Sequence, residues 1–305
     1  MIDKFYSQSA TTSFRLQRPW SALGLLGCFF LFCLIVSGVL LPFLPRLVSR
    51  PEAAVKISVV IQDLFVFIIP AVGTAMIATR LPARLLCVDR FPKLSITILS
   101  MAVLIFSIPA MNCVIEWNKS WHMPESMAST ENFFRQLEEG AEATTRLLMD
   151  GASIPSLIVS ILIVGVLAGF SEELFFRGAL QRILTQTRMN IHLVIWLVAV
   201  FFSAFHFQLF GLVPRILLGA FFGYILWWTK SLWLPILIHM FNNTLVVISE
   251  YFGANDHTGT KVSIDSIGAN LSSPTELSLV IASVTLTIIG IWLIYHLSTI
   301  KKSDI

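Results

Sequence analysis

IPSLIVSILIVGVLAGFSEELFFRGALQRIL, residues 154–184, decides the fold. The stretch 154–169 carries no charge, yet Glu172, Glu173 and Arg177 follow within nine residues, and apolar sequence resumes after them. A run of this length and apolarity reads as a helix crossing a bilayer. Each ionisable side chain at its centre costs about 2.5–3.5 kcal/mol on insertion scales. Such residues face a bundle interior or a wet cavity, and by default they mark a functional site.

The rest of the chain supports the membrane reading. Of 305 residues, 56% are hydrophobic and 13% charged, against about 25% charged in soluble domains; the mean hydropathy is +0.80. Eight candidate spans follow: roughly 20–45, 57–79, 94–115, 156–186, 191–210, 212–229, 231–249 and 276–298. This is an all-α fold, a polytopic membrane helix bundle of about eight transmembrane helices. Strand-like alternation at ten-residue spacing is missing, which argues against a membrane β-barrel. The first span has too long an apolar core for a signal peptide and no small-x-small cleavage site. Cys28, Cys33, Cys87 and Cys113 form no C-x-x-C pair and read as small hydrophobes. A net charge of +3, without a long basic run, implies no nucleic-acid partner. The chain divides into residues 1–153 (three helices and an acidic segment at about 117–153), a core at 154–250 that holds the polar motifs, and an outer loop with the last helix at 251–305.

Lys and Arg asymmetry sets the expected orientation. With the N-terminus in the cytoplasm, Lys4, Arg15, Arg18, Arg80, Arg84, Arg90, Lys93, Arg182, Arg188, Lys230, Lys301 and Lys302 lie inside. The 117–150 loop, with Glu125, Glu131, Glu138, Glu139, Glu142 and Asp150, lies outside, as does the 250–275 loop. Arg46, Arg50 and Lys56 in the first loop dissent. Both termini are therefore expected to be cytoplasmic. Within the acidic loop, Phe133, Phe134, Leu137, Ala141, Leu147 and Leu148 recur at helical spacing. This predicts an amphipathic helix, which either lies on the bilayer or the bundle or simply connects two spans.

The intramembrane polar residues are Asp63, Glu172, Glu173, Arg177, His206 and His239, with Asn243 beside them. Glu173 and Arg177 are i and i+4 and are expected to pair as a structural clamp. Glu172 points about 100° away and is left to face something else. Phe202 lies four residues before His206, and His239 lies four before Asn243, so each pair shares a helix face. At about 1.5 Å per residue, Glu172, His206, His239 and Asn243 lie roughly 21, 22, 14 and 20 Å from their cytoplasmic ends. They can converge on one cavity. A carboxylate in an apolar site is suited to general-base work, an imidazole to sharing the proton, and a second imidazole with an amide to holding an oxyanion. The set fits hydrolysis of a carbonyl compound, a peptide bond foremost. Ser171 beside Glu172 has no motif to support it as a nucleophile. H-E-x-x-H is absent, although Glu172, His206 and His239 would suit zinc by ligand type. Asp63 has no partner motif and is expected to make a structural hydrogen bond. Asn242 is expected to satisfy local groups, and His122, His192, His257 and His296 need no function.

Three motifs in order also resemble a family. EELFFR (Glu172, Glu173, Arg177), FSAFH (Phe202, His206) and HMFNN (His239, Asn243) are similar to E-E-x-x-x-R, F-x-x-x-H and H-x-x-x-N of the CAAX-protease and bacteriocin-processing (CPBP, or Abi) superfamily. That superfamily includes the type II CAAX prenyl endopeptidases. The resemblance covers roughly 154–250. It implies an intramembrane endopeptidase with its site in a cavity between helices. Glu172 and His206 would activate water, His239 with Asn243 would stabilise the oxyanion, and Glu173 with Arg177 would support the site. The family's chemistry is read as glutamate-type and metal-independent, so no cofactor is expected.

The expected partners are a membrane-associated peptide or protein substrate, prenylated or bacteriocin- or leader-like, and the lipid bilayer. Short loops, with neither a targeting sequence nor a fused domain, point to a bacterial cytoplasmic membrane. Two rivals remain at this level. A non-catalytic immunity or scaffold protein would tolerate Glu172→Gln. A proton- or ion-coupled transporter would call for an inverted repeat, which the sequence lacks.

Overall fold

The computed structural model describes residues 18–149, 151, 153–254 and 267–299. Lys4, Arg15, Asp150, His257, Lys301, Lys302 and residues 255–266 of the 250–275 loop lie outside the described residues. Among the described residues the architecture is helical without a β-strand. Six helices are long and apolar enough to cross a membrane: α1 (Pro19–Leu47), α2 (Pro51–Ala78), α3 (Leu94–Lys119), α5 (Ile154–Leu184), α7 (Leu209–Thr229) and α9 (Pro274–Thr299). Between and after these lie α4 (Ala128–Met149), α6 (Ile191–Ala204) and α8 (Trp233–Ala254). The chain is an integral membrane protein. Phe32, Ile35, Ile98 and Ile288 stand exposed on the outer faces, where lipid rather than water is their solvent.

Apart from α4, the helices match the eight expected spans, with corrections at their ends. The second span begins at Pro51 rather than 57, so Lys56 is helical rather than in a loop. The fifth, expected at 191–210, stops at Ala204; its 14 residues fall short of the roughly 20 a crossing needs. Irregular backbone at membrane depth survives only where protein covers it, and His206 lies in that stretch. The seventh span is α8. Its His239, Asn242 and Asn243 leave it less apolar than the six membrane-length helices.

α5 lies at the centre. It packs along α8 and contacts α2, α6 and α7, while α3 pairs with α9 and α6 with α7. Two glycines set the α5–α8 distance. A Cβ on Gly165 would fall 2.6 Å from Thr244 Oγ1, and one on Gly169 would fall 3.0 Å from Met240 N. This small-xxx-small notch lets two backbones approach closely. Gly169→Val is expected to destabilise the protein by about 1–3 kcal/mol and to slow any reaction that needs Glu172 beside His239; thermal unfolding with a rate assay checks both. On the opposite face of α5, Arg177 donates to Gly219 O (3.1 Å) and Gln181 to Gly223 O (3.0 Å) on α7. Two donors four apart meet two carbonyls four apart, and the glycines leave those carbonyls accessible.

Three stretches are π-helical: Asp63–Ile68, Ile161–Ala168 and Leu174–Gln181. Glu172 and Glu173 sit between the last two. Such widened turns are frequent at functional sites.

The amphipathic segment forms α4, which packs against α2, the start of α5 and the turn Leu209–Gly211. It caps the bundle. Glu131 anchors its beginning: the carboxylate accepts from Met123 N–H (2.7 Å) and from Arg135 Nε (2.9 Å), with His122 3.2 Å away. The Met123 N–H, then Arg135, hold this carboxyl down at about 2 rather than 4.5. A depressed carboxyl contributes stability that is complete above its unfolded value and lost as pH falls through its folded one. Amide protection at the start of α4 should therefore hold from neutral pH to about 4.5 and decline between 4.5 and 2. Hydrogen exchange against pH checks this, and Glu131→Gln should flatten the response.

Two residues used to orient the chain are internal. Arg182 is buried and donates to Leu85 O at 3.1 Å, and buried Lys230 sits 3.2 Å above the Trp227 ring. Their positions follow from packing, and the orientation rests on the remaining basic residues. The four cysteines form no disulfide.

Candidate active site

Arg177 and Glu173 are fully buried and pair at 2.9 Å, as the i, i+4 spacing predicts. The same carboxylate oxygen also accepts from His239 Nδ1 at 2.9 Å. Glu173 is thus more than a clamp for the arginine, because it fixes the His239 ring. A proton on Nδ1 turns Nε2 toward Glu172, whose Oε2 lies 3.9 Å away. Glu172 has a partly accessible carboxylate, with 15% of its side chain exposed against none of Glu173's. The rotation between adjacent helical positions accounts for this difference.

His206 is not on a helix. It occupies the turn Phe205–Phe207 after α6, where Phe207 takes a left-handed φ of 55°. Its Nδ1 donates to Phe202 O at 2.9 Å, and its ring lies edge-on to Phe202 at 5.1 Å. The expected Phe202–His206 contact exists, made by a turn. With Nδ1 donating, the neutral ring keeps Nε2 as an acceptor. His206 lies within direct electrostatic range of Glu172 and His239. Phe202 sits between the components, its ring 6.0 Å from His239 and 4.3 Å from the Arg177 guanidinium.

Asn243 stands one turn beyond His239 on α8. Its Nδ2 donates to Val164 O at 3.2 Å, and its Oδ1 accepts from Asn242 Nδ2 at 3.4 Å. The structure ties this amide to the π-helical turn of α5. Ser171 is buried and donates to Ala168 O at 3.1 Å.

Two further residues reach the site. Asp63 is buried on α2, close to the Ser171 side chain and within electrostatic range of Glu172, so it faces the site. Arg215, near the start of α7, lies within electrostatic range of Glu172 and His206. The sequence reading passed over it. A lone arginine inside the apolar run 212–229 was the available signal.

Among the described residues no three His, Cys, Asp or Glu side chains converge as ligands. Nδ1 of His239 is held by Glu173 and Nδ1 of His206 by a backbone carbonyl, so Nε2 is the nitrogen each ring keeps for the site.

The site thus joins a buried Glu–Arg–His cluster to an accessible carboxylate. Residues 154–245 match the family model for Rce1-like proteins, described as type II CAAX prenyl endopeptidase Rce1-like. The match spans all three motifs, so this segment is similar to that CAAX-protease family. No curated protein and no solved structure matches the chain.

Proposed function

We propose that the protein is a metal-independent intramembrane endopeptidase in which Glu172 is the general base. The observation that carries this reading is the shared geometry of Glu172 and His239. One histidine nitrogen is locked by a buried carboxylate while the other faces a second, accessible one.

Each group has a role that its hydrogen bonds permit. A water between Glu172 and His206 Nε2 would donate one proton to each acceptor and turn a lone pair toward the substrate carbonyl. Glu172 takes the proton as the C–O bond forms, and the carbonyl π electrons move to oxygen. His239, protonated at Nε2 and balanced by Glu173 at Nδ1, donates to that oxyanion. Asn243 supplies the amide hydrogen not engaged by Val164. Collapse of the intermediate breaks the C–N bond, and the proton held by Glu172 passes to the leaving amine.

The substrate is a membrane-associated peptide or protein, of the prenylated CAAX kind by family likeness or a bacteriocin- or leader-type peptide. The host is a bacterial cytoplasmic membrane with both termini inside, supported by Arg80, Arg84, Arg90 and Lys93 on one side and the acidic α4 segment on the other. Residues 154–250 form the catalytic core of this reading.

The test is cleavage of quenched fluorescent peptides, prenylated CAAX peptides included, by the detergent-purified protein. His206→Ala and His239→Ala should each lower kcat by about 10²-fold or more, and Asn243→Ala by about tenfold or more, while membrane insertion is retained. Undiminished cleavage by His206→Ala and His239→Ala would rule the site out.

A further inference from the structure

We propose, on the endopeptidase reading above, that α4 and the end of α3 belong to the active-site machinery: Glu138 and Asn118 are positioning residues that hold the turn carrying His206.

α6 ends at Ala204, and the chain runs through the turn Phe205–Phe207 and the turn Leu209–Gly211 that opens α7, so groups between 205 and 213 lack the partners a continuous helix would provide. Buried backbone polar groups must be paired. Asn118, fully buried at the end of α3, supplies two pairs: its Nδ2 donates to Leu209 O at 3.2 Å and its Oδ1 accepts from Val213 N–H at 2.8 Å. Glu138 on α4 brings its carboxylate close to the Phe210 N–H. Ser203 supplies a third pair by donating to Leu212 O at 2.7 Å. Phe210 is buried beneath Arg135 of α4, whose guanidinium lies 4.1 Å from the ring centroid. Most of what holds this turn therefore comes from residues 118–138, outside the segment 154–245 that matches the family.

Charge reinforces the arrangement. Arg215 donates to Gln208 within the turn, and a Cβ on Gly211 would meet Arg215 Nη1 at 2.8 Å. Arg215 lies within electrostatic range of Glu138 on one side and Glu172 on the other. Glu138 also faces Glu142 and Lys119. As a carboxylate, Glu138 offsets the Arg215 charge, which would otherwise draw on Glu172. The acidic helix thus fixes His206 in place and limits the pull of Arg215 on the general base.

The experiment combines hydrogen-exchange mass spectrometry with cleavage kinetics on the full-length protein in detergent, for wild type, Glu138→Ala, Glu138→Gln and Asn118→Ala. The alanine variants should exchange about tenfold faster across 205–213 while α9 keeps its protection. Their kcat should fall about 10- to 100-fold, with KM within about twofold of wild type. Glu138→Gln keeps a polar group of the same shape beside the Phe210 N–H, so its exchange should stay near wild type while its kcat falls between the two. Unchanged exchange at 205–213 in both alanine variants would overturn the proposal. So would faster exchange with wild-type kcat, or loss of protection throughout the protein. If wild type cleaves no peptide, the endopeptidase reading fails, and the exchange data still decide whether α4 holds the turn.

Discussion

Glu172→Gln is expected to reduce kcat/KM by about 10³-fold or more while leaving the unfolding temperature within a few degrees of wild type. The amide matches the carboxylate in shape but cannot accept a proton from water. Its cost in stability is small because the Glu172 side chain is partly accessible and its near partner, His239 Nε2, lies 3.9 Å away. Glu172→Asp retracts the carboxylate by one methylene and should keep intermediate activity, since about 1 Å of misplacement costs roughly 10²-fold. Rates on one quenched peptide, together with thermal melts of the same preparations, separate lost chemistry from lost fold.

Arg177→Ala should be the most destabilising single substitution in the site, by about 3–5 kcal/mol. Removing the guanidinium leaves the fully buried Glu173 carboxylate with His239 alone, strips Gly219 O of its donor and opens a space beside Phe202. Replacing both partners is a different matter, because an apolar pair of similar volume avoids the desolvation penalty. Glu173→Leu with Arg177→Met should therefore recover most of the stability lost in Arg177→Ala. It should not recover cleavage, because His239 would still lack its Nδ1 acceptor. Denaturant titration in detergent and the peptide assay read the two quantities separately. A double variant as unstable as Arg177→Ala would locate the cost in packing rather than in the stranded charge.

Much of this was legible in residue order. Apolar runs of bilayer length identify the helices. The i, i+4 spacings of Glu173 with Arg177 and of His239 with Asn243 set their shared faces, and the one-residue offset of Glu172 predicts its different exposure. What escaped did so for physical reasons. The end of α6 is invisible because FFSAFHF stays apolar past Ala204, whereas the break depends on how Phe207 and the 209–211 turn are held by other helices. The second bond of Glu173, to His239, crosses 66 residues. Asp63 looks like an isolated polar residue until α2 packs against α5. Arg215 stands alone in the apolar run 212–229, and its approach to Glu172 depends on how α7 packs against α5. The π-helical turns leave the apolar pattern almost unchanged and so carry no readable signal. The amphipathic pattern of α4 was plain, but its docking surface depends on Phe210 and Arg215.

The central claim is that Glu172 activates water without a metal. The most direct test is the cleavage rate of one peptide substrate by wild type and by Glu172→Gln, each with and without a strong chelator. The account predicts equal wild-type rates with and without chelator, and no cleavage by the variant in either condition. Cleavage by Glu172→Gln at the wild-type rate, or a wild-type rate lost on chelation and restored by added metal, would contradict it.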